Sequence, residues 1–189
     1  FYVRRLEAEE IRDSLLAVAG MLDRTMGGKT LPLKNREFVF NHTSKDATTY
    51  ESPRRALYLP IIRNHLYDLL EQFDYPDPAV PTGSRHETVI APQALLMMNA
   101  ELVTQAAERL AKQICAENGL SDRQRLERAY LKAYARPPAA REVERAKSFL
   151  AGFDRTEAAQ KRPAGEVTAQ AWTALCQAIL AANEFCYLN

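Results

Sequence analysis

The chain has 189 residues, and its 25 Lys and Arg residues almost balance its 24 Asp and Glu residues. With 47% hydrophobic residues, a chain of this size can bury roughly two-thirds of its unfolded surface, which excludes intrinsic disorder. The balanced charge excludes the strongly basic surface of nucleic-acid-binding and anionic-membrane-binding proteins, and no apolar run approaches the roughly 18 residues of a bilayer span. Because the chain opens without Met, we expect residues 1–189 to be a single helical domain cut from a larger protein.

The first predicted element is a helix. Only seven glycines, with Ala and Leu dominating the apolar residues, favour helix over sheet throughout the chain. Near the start, Ile11, Leu15, Val18 and Leu22 recur every three or four residues, which places them on one side of a helix. This spacing predicts a helix from about Val3 to Ala19, and the glycine pair and proline that follow cannot continue it.

The helical pattern is absent from residues 30–60. Two short runs of β-branched and aromatic residues, Glu37–Phe40 and Ala56–Leu59, lie on either side of a polar stretch. Such runs favour extended structure, so we expect a two-stranded ribbon or a pair of extended segments here. An isolated ribbon needs a surface on which to pack, and the helices would supply it.

A short amphipathic helix is predicted over residues 66–73, where four large apolar residues recur at helical spacing. Asn64 is a suitable N-cap, since its side-chain oxygen can accept hydrogen bonds from the first free N–H groups of a helix. The sequence Asp74-Tyr75-Pro76-Asp77-Pro78 ends the helix, because each proline removes a backbone donor and disfavours helical geometry in the residue before it. We expect loop from there to Ala91.

A long helix is predicted from about Pro92 to Asn118, and Asn118-Gly119 is a typical C-terminal stop. The residues of its apolar side are Leu95, Met98, Leu102, Ala106, Leu110 and Ile114. Ser121 and Gln124 then match a capping box, in which two side chains satisfy backbone N–H groups at the start of a helix. That helix is expected to end at Arg136-Pro137-Pro138.

Two further helices are predicted toward the C-terminus. One contains Val143 to Leu150 and is closed by Gly152, residues 154–165 form an internal loop, and the last runs from about Glu166 to Phe185. Trp172 lies on the apolar side of the last helix, so we expect it to be buried; the alternative is an exposed aromatic platform for a partner. The elements together predict a mainly α fold, an irregular or orthogonal bundle of five or six helices with a small extended or two-stranded segment.

The cysteines and histidines lack the spacing of a metal or haem site. Cys176 and Cys186 are predicted to share one helix, about 15 Å apart, so at most one disulfide is possible and it would use Cys115. We interpret all three cysteines as small buried hydrophobic residues. The histidines are His42, His65 and His86. We therefore expect no metal and no cofactor, and no stoichiometric binding of haem or a transition metal by the isolated chain.

The densest polar cluster begins at residue 63 and supplies the candidate ligand-binding residues. They are Arg63, Asn64, Asp74, Asp77 and Gln93. Two carboxylates in a proline-rich loop can act as acid and base if burial separates their pKa values. Alternatively, Arg63 pairs with a loop aspartate, Asn64 caps a helix, and Gln93 and Asn99 hold the loop against a helix. Arg12-Asp13 could fasten a loop to the first helix in the same way.

Several short sequence blocks, spread over nearly the whole chain, are distinctive in combination. They are Arg4–Glu9, Ile11–Leu15, Asp23–Gly28, Arg55–Asn64, Phe73–Pro78, Thr88–Asn99, Tyr130–Pro138, Phe149–Leu150, Ala171–Trp172 and Asn183–Phe185. In this order they resemble the C-terminal half of the planctomycete-type domain of unknown function 1553. One position departs from that family: Ala139 stands where the family usually has a Thr or Ser helix cap, which should cost about 1 kcal/mol of helix stability.

The resemblance implies a context rather than an activity. Members of the family are typically large exported proteins that also carry c-type cytochrome-like domains and a second domain of unknown function, and the family has no established catalytic residues. It therefore implies a periplasmic or cell-surface location, with other domains of the parent protein, including c-type cytochrome-like ones, as partners.

Two functions are compatible with these observations. We expect a non-catalytic interaction or scaffolding module of a large exported, cytochrome-associated protein. The alternative is a domain that binds or processes an extracellular polysaccharide, with its site in residues 63–93. A convergent polar pocket holding Arg63, Asp74 and Gln93 would favour the alternative, whereas internal pairing of these side chains would favour the interaction module.

Overall fold

A computed structural model describes residues 3–28, 50–62, 66–158 and 163–188, and this part of the chain is mainly α-helical. Its α-helices are α1 (Ala8–Val18), α2 (Asp68–Gln72), α3 (Ala91–Asn99), α4 (Glu101–Ala116), α5 (Asp122–Tyr134), α6 (Ala140–Ala158) and α7 (Ala164–Leu180). Two strands, β1 (Arg4–Arg5) and β2 (Tyr187–Leu188), pair antiparallel. The mainly α fold with a small two-stranded segment is confirmed. The described residues form seven α-helices rather than five or six, because one predicted helix is divided.

The start of the chain is extended where a helix is predicted. Arg4 and Arg5 pair with Leu188 and Tyr187, and the Leu6 N–H donates to the Cys186 carbonyl at 2.7 Å. The apolar spacing that predicts the helix begins only at Ile11, so nothing in the local sequence opposes this pairing with the other end of the chain. Helix α1 therefore begins at Ala8 instead of Val3.

The predicted ribbon is wrong in its second half. Ala56–Tyr58 forms a turn of 3-10 helix, and Leu57 is exposed. The first half, Glu37–Phe40, lies outside the described residues. The pairing of the two chain ends supplies the two-stranded segment instead, a contact between residues too distant in sequence for local propensity to indicate it.

Helix α2 is shorter than predicted. It begins at Asp68 with Tyr67 in the N-cap position, so the prediction that Asn64 caps it is wrong; Asn64 itself lies outside the described residues. Leu69, Leu70 and Phe73 are buried as the spacing predicts.

The predicted long helix breaks into α3 and α4 at Ala100, whose ψ of 137° is that of extended backbone. Residues after the break follow the predicted stripe, and Ala106, Leu110 and Ile114 are buried. Before the break the stripe is wrong: Leu95 and Met98 are each 58% exposed. An apolar stripe continues only as long as the helix does. The predicted stripe crosses Ala100, so it combines residues from the faces of two different helices.

The next predicted helix start is confirmed in atomic detail. The Ser121 hydroxyl accepts from the Gln124 N–H at 3.4 Å, and the Gln124 side-chain oxygen accepts from the Ser121 N–H at 2.9 Å. Helix α5 ends at Tyr134, and Ala135 adopts a left-handed φ of 55° before the Arg-Pro-Pro sequence.

The last two helices differ from prediction in their bounds. Helix α6 continues past Gly152 to Ala158, and α7 begins at Ala164, so residues 154–158 and 164–165 of the predicted loop are helical; residues 159–162 lie outside the described residues. Helix α7 ends at Leu180, and the 3-10 turn Asn183–Cys186 follows. Cys176 and Cys186 therefore do not share one helix, and all three cysteines are free thiols.

The core lies around α4 and α7, which pack against each other more extensively than any other pair of described helices. Trp172 is 1% exposed, which confirms its predicted burial, and it belongs to the main cluster of buried apolar side chains. Helices α1, α3, α5 and α6 pack around this pair. Near the start of the chain, Arg5 contacts the loop after α2 through Asp74.

Helix α6 keeps half of a capping box. The Glu142 carboxylate accepts from the Ala139 N–H at 2.6 Å, but Ala139 has no side-chain oxygen to accept from the helix in return. Ala139→Ser should therefore raise the free energy of unfolding by about 0.5–1 kcal/mol, measured by urea denaturation. Ala140→Ser, one residue inside the helix, is the control and should not stabilise; equal effects of the two variants would contradict the capping argument.

Candidate functional site

Asp74 lies at the C-terminal end of α2 with a left-handed φ of 61°. Aspartate tolerates this region better than most residues. The Tyr75 N–H donates back to the Leu70 carbonyl at 2.9 Å, so the chain reverses at this point. The reversal aims the Asp74 carboxylate away from solvent, and its side chain is 15% exposed.

Asp74 is saturated with hydrogen bonds from two distant parts of the chain. Its carboxylate accepts from Arg5 Nη2 at 2.7 Å, from the Thr88 N–H at 2.9 Å and from the Thr88 hydroxyl at 2.8 Å. Arg5 is itself buried, its Nη1 donates to the Thr88 carbonyl, and its guanidinium lies 5.7 Å from the centre of the Phe73 ring. We call Arg5, Asp74, Thr88 and Gln93 the loop clamp.

Gln93 completes the loop clamp from the first turn of α3. Its side-chain N–H groups donate to the Gln72 carbonyl at 2.9 Å and to the Thr88 hydroxyl at 3.3 Å, and its oxygen accepts from the Ile90 N–H. These contacts match the sequence-based alternative, in which Gln93 holds the loop against a helix. Asn99 does not act with it, since its amide donates within its own helix, to Leu95.

Asp77, the remaining candidate residue that the structure describes, does not converge on this site. Asp77 is exposed, and its carboxylate accepts from the Ala79 N–H at 2.8 Å, a turn contact two residues along the chain. Arg63 and Asn64 lie outside the described residues. The structure thus brings Asp74 and Gln93 together through Thr88, and leaves Asp77 apart from them.

The electrostatics of the loop clamp favour a permanently charged carboxylate. Burial raises the pKa of Asp74, but hydrogen bonds from Thr88 and Arg5 more than compensate and hold the pKa below its usual range. A general acid or base at neutral pH needs the opposite, a carboxyl pKa raised toward 7. The geometry suits Asp74 to holding Arg5 and the loop rather than to proton transfer.

A second polar site fastens the chain before α2 to helix α1. Buried Arg12 donates to the Arg54 carbonyl at 2.8 Å and to the Ser52 carbonyl. The Asp13 carboxylate accepts from the Ala56 N–H at 2.8 Å. These are the loop contacts that the sequence-based alternative assigns to Arg12 and Asp13.

The turn at Gly27 is held by the same segment. Arg54 donates to the Thr25 carbonyl at 3.0 Å and to the Gly27 carbonyl, and its guanidinium lies 4.0 Å from the centre of the Tyr58 ring. The Tyr58 hydroxyl accepts from the Gly27 N–H at 2.9 Å. Gly27 and Gly28 have φ angles of 74° and 76°, which a side chain would strain.

A third charged site joins α5, α6 and the last turn. Arg136 donates to both oxygens of Glu142 at 2.9 and 2.8 Å, and to both oxygens of Glu184 at 2.6 and 2.7 Å. Its guanidinium lies within 6 Å of the ring centres of Tyr130 and Tyr134. The hydrogen bonds from Arg136 lower the pKa of Glu142 to about 2.

Comparison with known families decides the identity of the chain. The family model described as a protein of unknown function (DUF1553) matches residues 1–150. The chain belongs to this family. Neither the curated proteins nor the solved structures compared with the chain gave a significant match. The matched range includes most of the blocks that carry the sequence resemblance, and the two blocks at residues 171–185 lie beyond it.

In this DUF1553 chain, sequence blocks that are far apart meet in space. The loop clamp joins the opening Arg-Arg block to the blocks around Asp74 and Thr88, and Arg136 joins its own block to Glu184. Sequence reasoning missed Arg5 and Thr88 as members of the candidate site. The signal was weak, because Arg5 lies 69 residues from Asp74 in the sequence. The only hint of a contact was that both residues belong to the sequence blocks that carry the family resemblance.

Arg136→Lys should lower the free energy of unfolding by about 1 kcal/mol, because lysine cannot form two bidentate pairs at once. Partial solvent exposure of Arg136 keeps the effect modest. Thermal unfolding measures the change. Arg128→Lys, which alters a single exposed ion pair with Glu117, is the matched control and should leave the stability nearly unchanged; an equal loss in both variants would contradict the prediction.

Within the described part of the chain, no three His, Cys, Asp or Glu residues are grouped so that they could hold a metal ion. In the same residues, no helix is both long and apolar enough to cross a membrane.

Proposed function

We propose that this DUF1553 chain is a non-catalytic interaction module of a large exported protein that also carries c-type cytochrome-like domains. Other domains of the parent protein are its partners, and the periplasm or the cell surface is its location. The observation that supports the proposal most directly is the engagement of Asp74 and Gln93 in the loop clamp, where their polar atoms bond to the protein itself.

A catalytic role for the 63–93 region would need a different arrangement. An acid and base pair requires two carboxyl groups with access to one substrate and with separated pKa values. The Asp74 side chain is 15% exposed and hydrogen-bonded to Arg5 and Thr88, whereas Asp77 is exposed in its own turn. Asp74 and Gln93 hold the loop and α3 in place, and this structural role explains their hydrogen bonds without a ligand.

An interaction module needs an exposed binding surface, and α3 offers one. We call Val89, Ile90, Leu95 and Met98 the α3 surface; their exposed fractions are 77%, 46%, 58% and 58%. The segment from Thr88 to Ala100 contains no charged residue. Exposed apolar side chains in an uncharged segment are typical of protein interaction sites, where a partner removes them from water.

A binding measurement tests the proposal. The chain is titrated calorimetrically with the separately produced c-type cytochrome-like and remaining domains of its full-length parent protein. We expect at least one to bind, and Leu95→Glu/Met98→Glu to weaken binding by at least about tenfold, since charge is costly in an apolar interface. Leu131→Glu changes an exposed leucine on α5 and is the matched control.

Two outcomes would overturn the proposal. The first is that no domain of the parent protein binds the chain. The second is specific binding of an oligosaccharide on a glycan array, lost in Gln93→Ala while the far-UV circular dichroism spectrum is unchanged. The second result would establish the polysaccharide alternative for residues 63–93.

A further inference from the structure

A cleft of about 1000 Å³ lies between α1, the chain before α2, and the junction of α3 and α4. Its described walls include the apolar side chains Leu16, Met21, Leu66, Leu69, Leu96 and Leu102. A volume of this size accommodates several side chains of a ligand. The cleft is separate from the loop clamp, since neither Asp74 nor Gln93 lines it.

The described charged residues that line the cleft are predominantly acidic. Glu51, Asp68 and Glu101 line it, and all three are exposed. Arg12 is the one cation among the described lining residues, and its charge is matched by Asp13, 3.2 Å away. The described lining of the cleft therefore combines apolar walls with an excess of acidic side chains.

Tyr67 lines the cleft beside charges of both signs. Burial raises the pKa of Tyr67, the Arg12 charge opposes that rise, and the carboxylates of Asp68 and Glu101 raise the pKa further. Its ring stacks on Tyr50, with centres 5.2 Å apart, so aromatic faces form part of the wall. Aromatic rings and carboxylates both attract cations.

Arg12 is a fixed part of the cleft wall. It is 2% exposed, and it donates to the Arg54 and Ser52 carbonyls and to the Asp13 carboxylate. Its charge is therefore engaged by the protein itself, and Glu51, Asp68 and Glu101 are the exposed charged groups of the described lining.

We propose that this cleft binds a basic, amphipathic peptide segment of a partner protein, its apolar side chains against the leucines and its Lys or Arg residues against Glu51, Asp68 and Glu101. The proposal rests on the interaction role proposed above and names the chemistry of one partner. Charge complementarity selects this occupant, because an acidic peptide or a phosphate would meet the same carboxylates with repulsion.

Fluorescence anisotropy tests the proposal with a labelled synthetic peptide of Leu and Lys, whose leucines fall on one helical face. We expect it to bind, and a matched peptide with Glu in place of Lys not to bind. Asp68→Asn/Glu101→Gln should weaken binding of the Lys peptide by at least about tenfold. Added salt should weaken this binding more strongly in the wild type than in the double variant. Glu127→Gln/Glu166→Gln removes two exposed carboxylates elsewhere and is the control.

Three results would overturn the peptide site. They are equal binding of the Lys and Glu peptides, an equal loss of affinity in both double variants, and no binding of the Lys peptide. Displacement of the Lys peptide by a neutral oligosaccharide would also overturn it, in favour of a sugar site. The result is distinguishable from a failure of the interaction role, which is decided by binding of the parent protein's domains and by the Leu95→Glu/Met98→Glu variant. Loss of the peptide site with retention of that binding would refute this inference alone.

Discussion

Trp172→Ala is expected to lower the free energy of unfolding by about 3–5 kcal/mol, a large fraction of the stability of a domain this size. Trp172 is 1% exposed on α7, at the interface with the helices that surround it. Truncation removes a large apolar side chain and leaves a cavity that close-packed neighbours cannot fill completely. The loss therefore includes both the burial of the ring and the cost of the cavity.

Urea denaturation followed by far-UV circular dichroism measures this loss. Phe149→Ala is the matched control, because Phe149 is an aromatic residue on α6 that is 40% exposed, and its removal should cost much less. The emission of Trp172 should shift to longer wavelength on unfolding, since the ring passes from the core into water. Equal stability of Trp172→Ala and wild type would contradict the burial and would indicate that this side of α7 meets a partner instead.

Much of the helical fold could be predicted because helix signals are local. The capping box of Ser121 and Gln124, the stripe ending in Leu110 and Ile114, and the burial of Trp172 each depend on residues within a few turns. Periodicity and capping chemistry suffice for such elements. The bounds were less predictable: Gly152 does not end α6, since one glycine inside a helix costs only about 1 kcal/mol relative to alanine.

Two of the misses have no signal in the local sequence. Arg4 and Arg5 are extended because the opposite chain end pairs with them, and Leu95 is exposed because the chain turns at Ala100. Neither the pairing of Arg4 and Arg5 nor the turn at Ala100 is marked by a Gly or a Pro at that position. The bundle could thus be predicted as a class, but its closure by the two chain ends could not.

Part of the candidate site could be predicted from the sequence. Gln93 and Asp74 were recognisable as polar residues in an apolar or proline-rich setting, and the anchoring role of Gln93 follows from its amide chemistry. The partner of Asp74 was not recognisable, because a buried arginine 69 residues away leaves no local pattern. Arg63, which the sequence-based alternative pairs with a loop aspartate, lies outside the described residues.

Asp74→Asn is expected to lower the free energy of unfolding by about 3 kcal/mol at neutral pH, because it leaves the buried charge of Arg5 without its counterion. The side chains of Arg5 and Asp74 are 5% and 15% exposed, so water screens the pair only weakly. Asparagine tolerates the left-handed φ of this position and can still accept from Thr88. The variant therefore tests the charge and not the backbone.

The same loop supplies a matched control. Asp77→Asn makes the identical change at an exposed carboxylate whose turn contact with Ala79 an asparagine can keep, so we expect a change of less than about 0.5 kcal/mol. Urea denaturation of both variants gives the comparison. Should Asp77→Asn destabilise as much as Asp74→Asn, the loop clamp would not be what holds the loop.

The pH dependence separates the loss of a charge from a general loss of packing. Because the folded-state pKa of Asp74 lies below that of an unfolded aspartate, about 3.9, its contribution is fully present above that value and disappears as the pH falls through the folded-state pKa. The difference between wild type and Asp74→Asn should therefore be largest near neutral pH and should narrow in acid. A difference that stays constant down to acidic pH would mean that Asp74 stabilises the protein by shape alone, and that Arg5 is held by other groups.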